Sequence, residues 1–169
     1  ATVIFLGNDS KSSSTSNTAK KIGEATAPTQ QTEQKKEIQK EFNILDKIDF
    51  ENRILTVNSI QRSYIESGDY PYTPEEGQEF ILVNITIENN SNKPVSFNVF
   101  DFQIENSTGV RTSFAVVGKV KDELNSGDLA VGGKVTGNIG YKVKKDEKGL
   151  KLIFKPSFLS EREVKILLD

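Results

Sequence analysis

From residue 81 onward, apolar side chains recur at every second position. Ile81, Val83, Ile85 and Ile87 alternate with Leu82, Asn84, Thr86 and Glu88, the period of a strand that buries one face. The alternation returns in Val95, Phe97 and Val99, then on the opposite parity in Phe100, Phe102 and Ile104. That change of parity predicts a bulge or a corner where the chain crosses between sheets. Further runs follow in Val135, Ile139, Tyr141 and Val143, in Leu150, Leu152 and Phe154, and in Val164, Ile166 and Leu168. Turn residues separate them: Glu51-Asn52, residues 89–93 before Pro94, Asn106-Ser107-Thr108-Gly109, Gly132-Gly133 and residues 146–149. Short strands at this spacing, with no helical period among them, predict an all-β, immunoglobulin-like antiparallel sandwich of about seven to eight strands over residues 46–169.

The first quarter of the chain has a different character. Residues 1–7 form a short apolar run, too short for the roughly 20 residues that span a bilayer. It reads as the remnant of a membrane anchor or export segment, or as a strand at the terminus. Residues 8–45 are rich in Ser and Thr, then in Gln, Lys and Glu. Such a segment buries too little apolar surface to offset its ordering entropy. It is expected to be a disordered or partly helical tether that holds the domain roughly 30 Å from its attachment point. Ile38, Phe42 and Leu45 fall at the spacing of a helical stripe and predict a short helix at its end.

The succession Gly77-Gln78-Glu79-Phe80-Ile81-Leu82-Val83-Asn84-Ile85-Thr86-Ile87-Glu88-Asn89-Asn90-Ser91-Asn92-Lys93-Pro94-Val95 resembles the central motif of domain-of-unknown-function family 4352. That family is bacterial and extracytoplasmic, and is found in lipoproteins and membrane-anchored proteins, mostly of Gram-positive bacteria. Its fold is similar to that of a secreted immunogenic antigen of mycobacteria. Three further blocks fit in order. They are Asp101-Phe102-Gln103-Ile104 with Gly109, the glycine-rich Leu129-Ala130-Val131-Gly132-Gly133-Lys134-Val135-Thr136-Gly137, and the stretch from Tyr141-Lys142-Val143 through Gly149-Leu150-Lys151-Leu152-Ile153-Phe154. The resemblance implies an Ig-like domain outside the cytoplasmic membrane, on the cell surface. It implies attachment by a lipid or a membrane helix, and no catalytic residues.

The chain contains no His, Cys, Met or Trp. Thiol nucleophiles, disulfides, imidazole bases and Cys/His zinc sites are therefore excluded. The net charge of -2 argues against nucleic acid as a partner, since phosphate contacts need a basic excess. Gly132-Gly133-Lys134 fails as a phosphate loop, which would require Gly in place of Asp128 and Ser or Thr in place of Val135. Carboxylates remain, as Glu75-Glu76, Asp122-Glu123 and Glu161/Glu163. Adjacent residues on a strand point to opposite faces, so none of these pairs makes a two-acid site by itself. No enzyme activity, cofactor or metal is expected.

Two segments remain as candidate contact sites. Tyr64, Tyr70 and Tyr72 are three of the four tyrosines and stand among Pro71, Pro74 and acidic residues. On a loop at the end of a sandwich they would serve as rigid amphipathic contact groups, or else plug the open end. Residues 41–140 carry 8 basic and 15 acidic side chains, whereas 141–169 carry 8 and 5. Lys142, Lys144, Lys145 and Lys148 head that basic stretch. They would touch anionic wall polymer or lipid headgroups, or form a solvated hairpin. The expected function is a non-enzymatic extracytoplasmic module that is tethered to the envelope, meets the membrane only through its N-terminal anchor, and binds a protein or envelope component. The alternative is an accessory domain that positions a membrane complex without a ligand of its own.

Overall fold

The computed structural model describes residues 19–24, 41–157, 159 and 161–169. One sheet carries, in spatial order, β1 (Lys20–Glu24), β3 (Asp46–Phe50), β4 (Arg53–Gln61), β5 (Gln78–Asn89) and β10 (Lys134–Lys144). The other carries β2 (Phe42–Asn43), β12 (Val164–Leu167), β11 (Lys151–Phe154), β7 (Phe102–Glu105) and β8 (Arg111–Thr112), and β6 (Val95–Phe97) pairs with β9 (Gly127–Leu129) as a ribbon. Strand pairing is antiparallel except between β2 and β12. This is the expected two-layer antiparallel sandwich. It has more strands than the period indicated, because β1, β2, β8 and β9 are short and hold no more than one apolar residue each, so they display no alternation.

The core lies between the two sheets. Ile48, Leu55, Val57, Val83, Ile85, Ile87, Ile139 and Tyr141 from the first sheet meet Phe102, Ile104, Leu152, Phe154, Val164 and Ile166 from the second. Phe50 stands edge-on to Phe154 across the layers with ring centroids 6.1 Å apart, and Phe102 stacks on Phe154 at 4.8 Å. The hairpin between β3 and β4 turns through Glu51 and Asn52, both at positive φ (51° and 63°), the conformation of the tight turn that matches strand twist. The parity change at Val99 and Phe100 proves to be the predicted crossing. A single 3-10 turn over Val99–Asp101, capped by the Asn98 side chain, takes the chain from the ribbon into the second sheet.

Two expectations about the N-terminal quarter are corrected. Phe42 and Leu45 are not helical. Phe42 is a buried residue of β2 beside Ile166, and Leu45 sits in a tight turn at φ 72°, where Asp46 accepts the Asn43 N–H at 2.9 Å. Packing of one aromatic ring into the core outweighs a weak helical preference. Residues 20–24, inside the segment read as a polar tether, form strand β1 against β3. Backbone pairing needs no apolar side chains, and Lys21 supplies an ion pair of 2.6 Å to the buried Asp46. Residues 1–18 and 25–40, including the apolar run and Ile38, lie outside the described residues.

The outward face of β5 is also covered at one end. Phe80 and Leu82 form a second small apolar cluster with Val117. Val117 belongs to a strap, residues 113–126, that lies along β10, where Ala115 N–H bonds to the Gly140 carbonyl and Leu124 N–H to the Asn138 carbonyl, each at 2.8 Å. The strap approaches so closely that a Cβ on Gly140 would stand 2.6 Å from a Val117 methyl.

Candidate contact end

The loop between β4 and β5 holds the tyrosines, and the turn between β10 and β11 holds Lys145 and Lys148, with Lys142 and Lys144 at the end of β10. Antiparallel pairing of β5 with β10 sets the start of the one opposite the end of the other, with Lys144 facing Gln78 and Lys142 facing Phe80. The two segments therefore lie side by side at one end of the sandwich. They are joined there by a bond of 3.0 Å from the Lys145 N–H to the Gly77 carbonyl and by an ion pair of 3.1 Å between Lys142 and Glu75.

Beneath them is an ionic node built on Glu79, which is only 4% exposed. Its Oε1 accepts from Arg62 Nε at 3.1 Å, from Arg62 Nη2 and from the Asp146 N–H at 2.9 Å. Its Oε2 accepts the Ser63 N–H at 3.0 Å and the Ser63 hydroxyl at 2.9 Å. Burial by itself would raise this carboxyl, but the bonds from Arg62, Ser63 and Asp146 outweigh it and bring the pKa down to about 2. The guanidinium also donates to the Glu147 carbonyl at 2.8 Å. One carboxylate thus ties the root of the tyrosine loop to the lysine turn. It stays ionised near neutrality with its oxygens fully engaged, so it has neither a proton to give nor a free site for one. Asp169 holds the far side of the turn by accepting the N–H groups of Gly149 and Leu150, both at 3.0 Å.

The tyrosine loop is clamped in turn to the strap. Glu66 accepts the Lys119 N–H at 2.7 Å and the Tyr72 N–H at 2.8 Å, and these bonds hold its carboxyl below the usual range. Gly118 makes this possible, because it sits at φ 90° and a Cβ there would lie 2.5 Å from the Glu66 carboxyl carbon. The three tyrosines are placed differently. Tyr64 packs on the Phe80, Leu82 and Val117 cluster and donates its hydroxyl to the Lys119 carbonyl. Tyr72 stacks on Phe80 at 5.4 Å yet keeps 54% of its surface exposed, and Tyr70 is 97% exposed.

The lysines are less concentrated than their positions in the chain suggest. Lys142 is neutralised by Glu75, and further along the same stretch Lys151 pairs with Glu41 and Lys165 with Glu105. Lys144, Lys145 and Lys148 stay exposed, but Asp146 and Glu147 share their turn. The carboxylates considered from the sequence are dispersed. Glu75 is at this end, Glu163 is held by both terminal nitrogens of Arg111 on the second sheet, and Glu123 is in the strap. Among the described residues no three acidic groups converge as a metal site would require. Glu123 borders a groove of about 240 Å³ floored by Leu124, Ile139 and Gly140 and walled by Val99 and Phe114, with no second charged group in its lining.

Sequence reading missed the Arg62 and Glu79 pair. A signal was present, since Glu79 shares the parity of Ile81, Val83, Ile85 and Ile87 and an acid in a core register needs a buried partner.

With that architecture in hand, the chain can be placed among known proteins. The family model for a domain of unknown function, DUF4352, matches residues 6–164. The chain belongs to this family. Among solved structures it is similar to the yjhA protein from Bacillus subtilis, at 20% identity over 76% of this chain and 99% of that one, with a TM-score of 0.58. It is also similar to the "putative lipoprotein (ycdA)" of Bacillus subtilis, at 17% identity over 69% of this chain and 36% of that one, with a TM-score of 0.53. No curated protein sequence matches it. At such identities the structural likenesses speak for the fold alone. Within the DUF4352 chain described here, no helix of the described residues is long and apolar enough to cross a membrane.

Proposed function

We propose that this DUF4352 chain is a non-enzymatic module of the bacterial envelope, carried outside the cytoplasmic membrane, that binds another protein through the end formed by the tyrosine loop and the lysine turn. The observation that carries the reading is Tyr70. A large amphipathic side chain with 97% of its surface exposed sits on a loop that Glu66 fixes to the strap and that Glu79 fixes at its root. Ordering such a loop on binding costs little, because it is ordered already. Charges of both signs around an aromatic centre suit a protein surface better than a uniformly anionic polymer. The lipoprotein name of the ycdA neighbour and the extracytoplasmic resemblance of the motifs support the envelope location.

The test is a photo-reactive side chain installed at position 70 in cells that express the full-length protein. A discrete cross-linked partner is expected. Tyr70→Ala should abolish capture of that partner in a pull-down while moving the unfolding free energy by no more than about 0.5 kcal/mol, the usual range for an exposed position. If illumination gives no adduct, the accessory reading, a domain that positions a complex without a ligand of its own, takes its place.

A further inference from the structure

We infer that this end is self-complementary and that two copies of the chain pair through it about a two-fold axis. The inference rests on the reading of the end as a contact surface and names a partner for it. On the loop, Glu75 is taken by Lys142 and Glu66 by two backbone N–H groups, which leaves the exposed Asp69 and Glu76 flanking Tyr70 and Tyr72. On the neighbouring turn, Lys144, Lys145 and Lys148 are exposed and outnumber Asp146 and Glu147. The surface therefore has an acidic half that bears aromatic rings and a basic half, set edge to edge by the bond from Lys145 to Gly77.

A two-fold rotation lays the acidic half of one copy on the basic half of the other, and does so twice, as an isologous interface demands. The aromatic rings of each copy then face the lysine turn of the other, where ring faces and ammonium groups attract. Glu79 and Asp169 pin the turn and Glu66 pins the loop, so neither half has to be ordered on association. One loop and one turn from each copy bury less than a standard interface, so the dimer is weak, concentration-dependent and sensitive to salt.

Sedimentation velocity over a concentration series tests the pairing with two charge-reversed variants of the full chain. Lys144→Glu/Lys145→Glu/Lys148→Glu makes both halves acidic, and Asp69→Lys/Glu76→Lys makes both halves basic. All five positions are exposed, and urea unfolding of each variant checks the fold. Each variant alone should dimerise at least about tenfold more weakly than the wild type, because like charges face each other across the axis. An equimolar mixture should recover wild-type association, since both contacts are again of opposite charge, and high salt should weaken the wild-type and mixed dimers while relieving the repulsion within each variant. A wild type that stays monomeric, variants that associate as the wild type does, or a mixture that recovers nothing would each overturn the pairing. A monomeric wild type that still cross-links a different protein from position 70 would remove the second copy as occupant and leave the contact surface standing. A monomer that captures nothing would remove both.

Discussion

Glu79 shares its side of β5 with Ile81, Val83, Ile85 and Ile87, all buried, so its charge has to be answered from within the protein. Arg62, Ser63 and the Asp146 N–H answer it. The consequence for stability has a definite sign. With its carboxyl at about 2 when folded and near 4.3 when unfolded, Glu79 binds its proton more readily in the unfolded chain. Its contribution is therefore complete above the unfolded value and is lost as pH falls through the folded one, a difference of about 3 kcal/mol. Glu79→Gln should cost about 3 kcal/mol near neutrality, because Arg62 is left half-buried without its counter-charge. Urea unfolding measured from neutral pH down to about pH 2 should show the gap between wild type and variant closing across that acid interval. A gap that keeps its size throughout would mean that Glu79 is not held ionised by this node.

At the scale of elements, the strap at residues 113–126 depends on the strand beneath it having no side chain at two points. A Cβ on Gly140 would meet a Val117 methyl at 2.6 Å, and one on Gly137 would meet the Leu124 Cα at 2.9 Å. Gly140→Ala should cost about 1–3 kcal/mol by forcing Val117 outward. Val117→Ala removes the obstacle, so in a double-mutant cycle by urea denaturation the two substitutions should cost less together than the sum of each alone; strict additivity would show that the strap does not bear on Gly140. The strap also marks the limit of what periodicity reveals. The long strands were legible because their inward parity is continuous, and the crossing at Val99 was legible because the parity breaks there. Burial of Leu82 was not, because it shares a parity with Asn84 and Thr86 and its apolar cluster is completed from distant segments, by Val117 of the strap and Tyr64 of the loop. The tyrosine loop and the lysine turn were each visible as composition, but their adjacency comes from the pairing of β5 with β10, which no local pattern encodes. Charge counted along the chain overstated the basic stretch for a similar reason, since Glu75 and Glu41 reach Lys142 and Lys151 only in the folded protein.

For the molecule as a whole, the question is where the cooperative body begins. The sequence reading puts its start at residue 46, where the polar segment gives way to the predicted sandwich. The structure places Phe42 in the core at 1% exposure, in β2 at the edge of the second sheet, beside Ile166. A chain cut to residues 46–169 loses that ring, whereas one cut to residues 41–169 keeps it, and both lack β1. Removal of a buried phenylalanine costs about 3–5 kcal/mol, since the lost transfer energy is joined by the cavity left behind. That is a large part of the 5–15 kcal/mol that holds a typical domain together. The longer fragment should therefore unfold in urea as one cooperative transition with the circular dichroism of a β protein, and the shorter one at a far lower midpoint or without a folded baseline. Phe42→Ala in the longer fragment should reproduce most of the loss, because the ring and not the five residues of backbone carries it. Equal midpoints for the two fragments would mean that β2 is not part of the cooperative unit and that the sandwich closes without it.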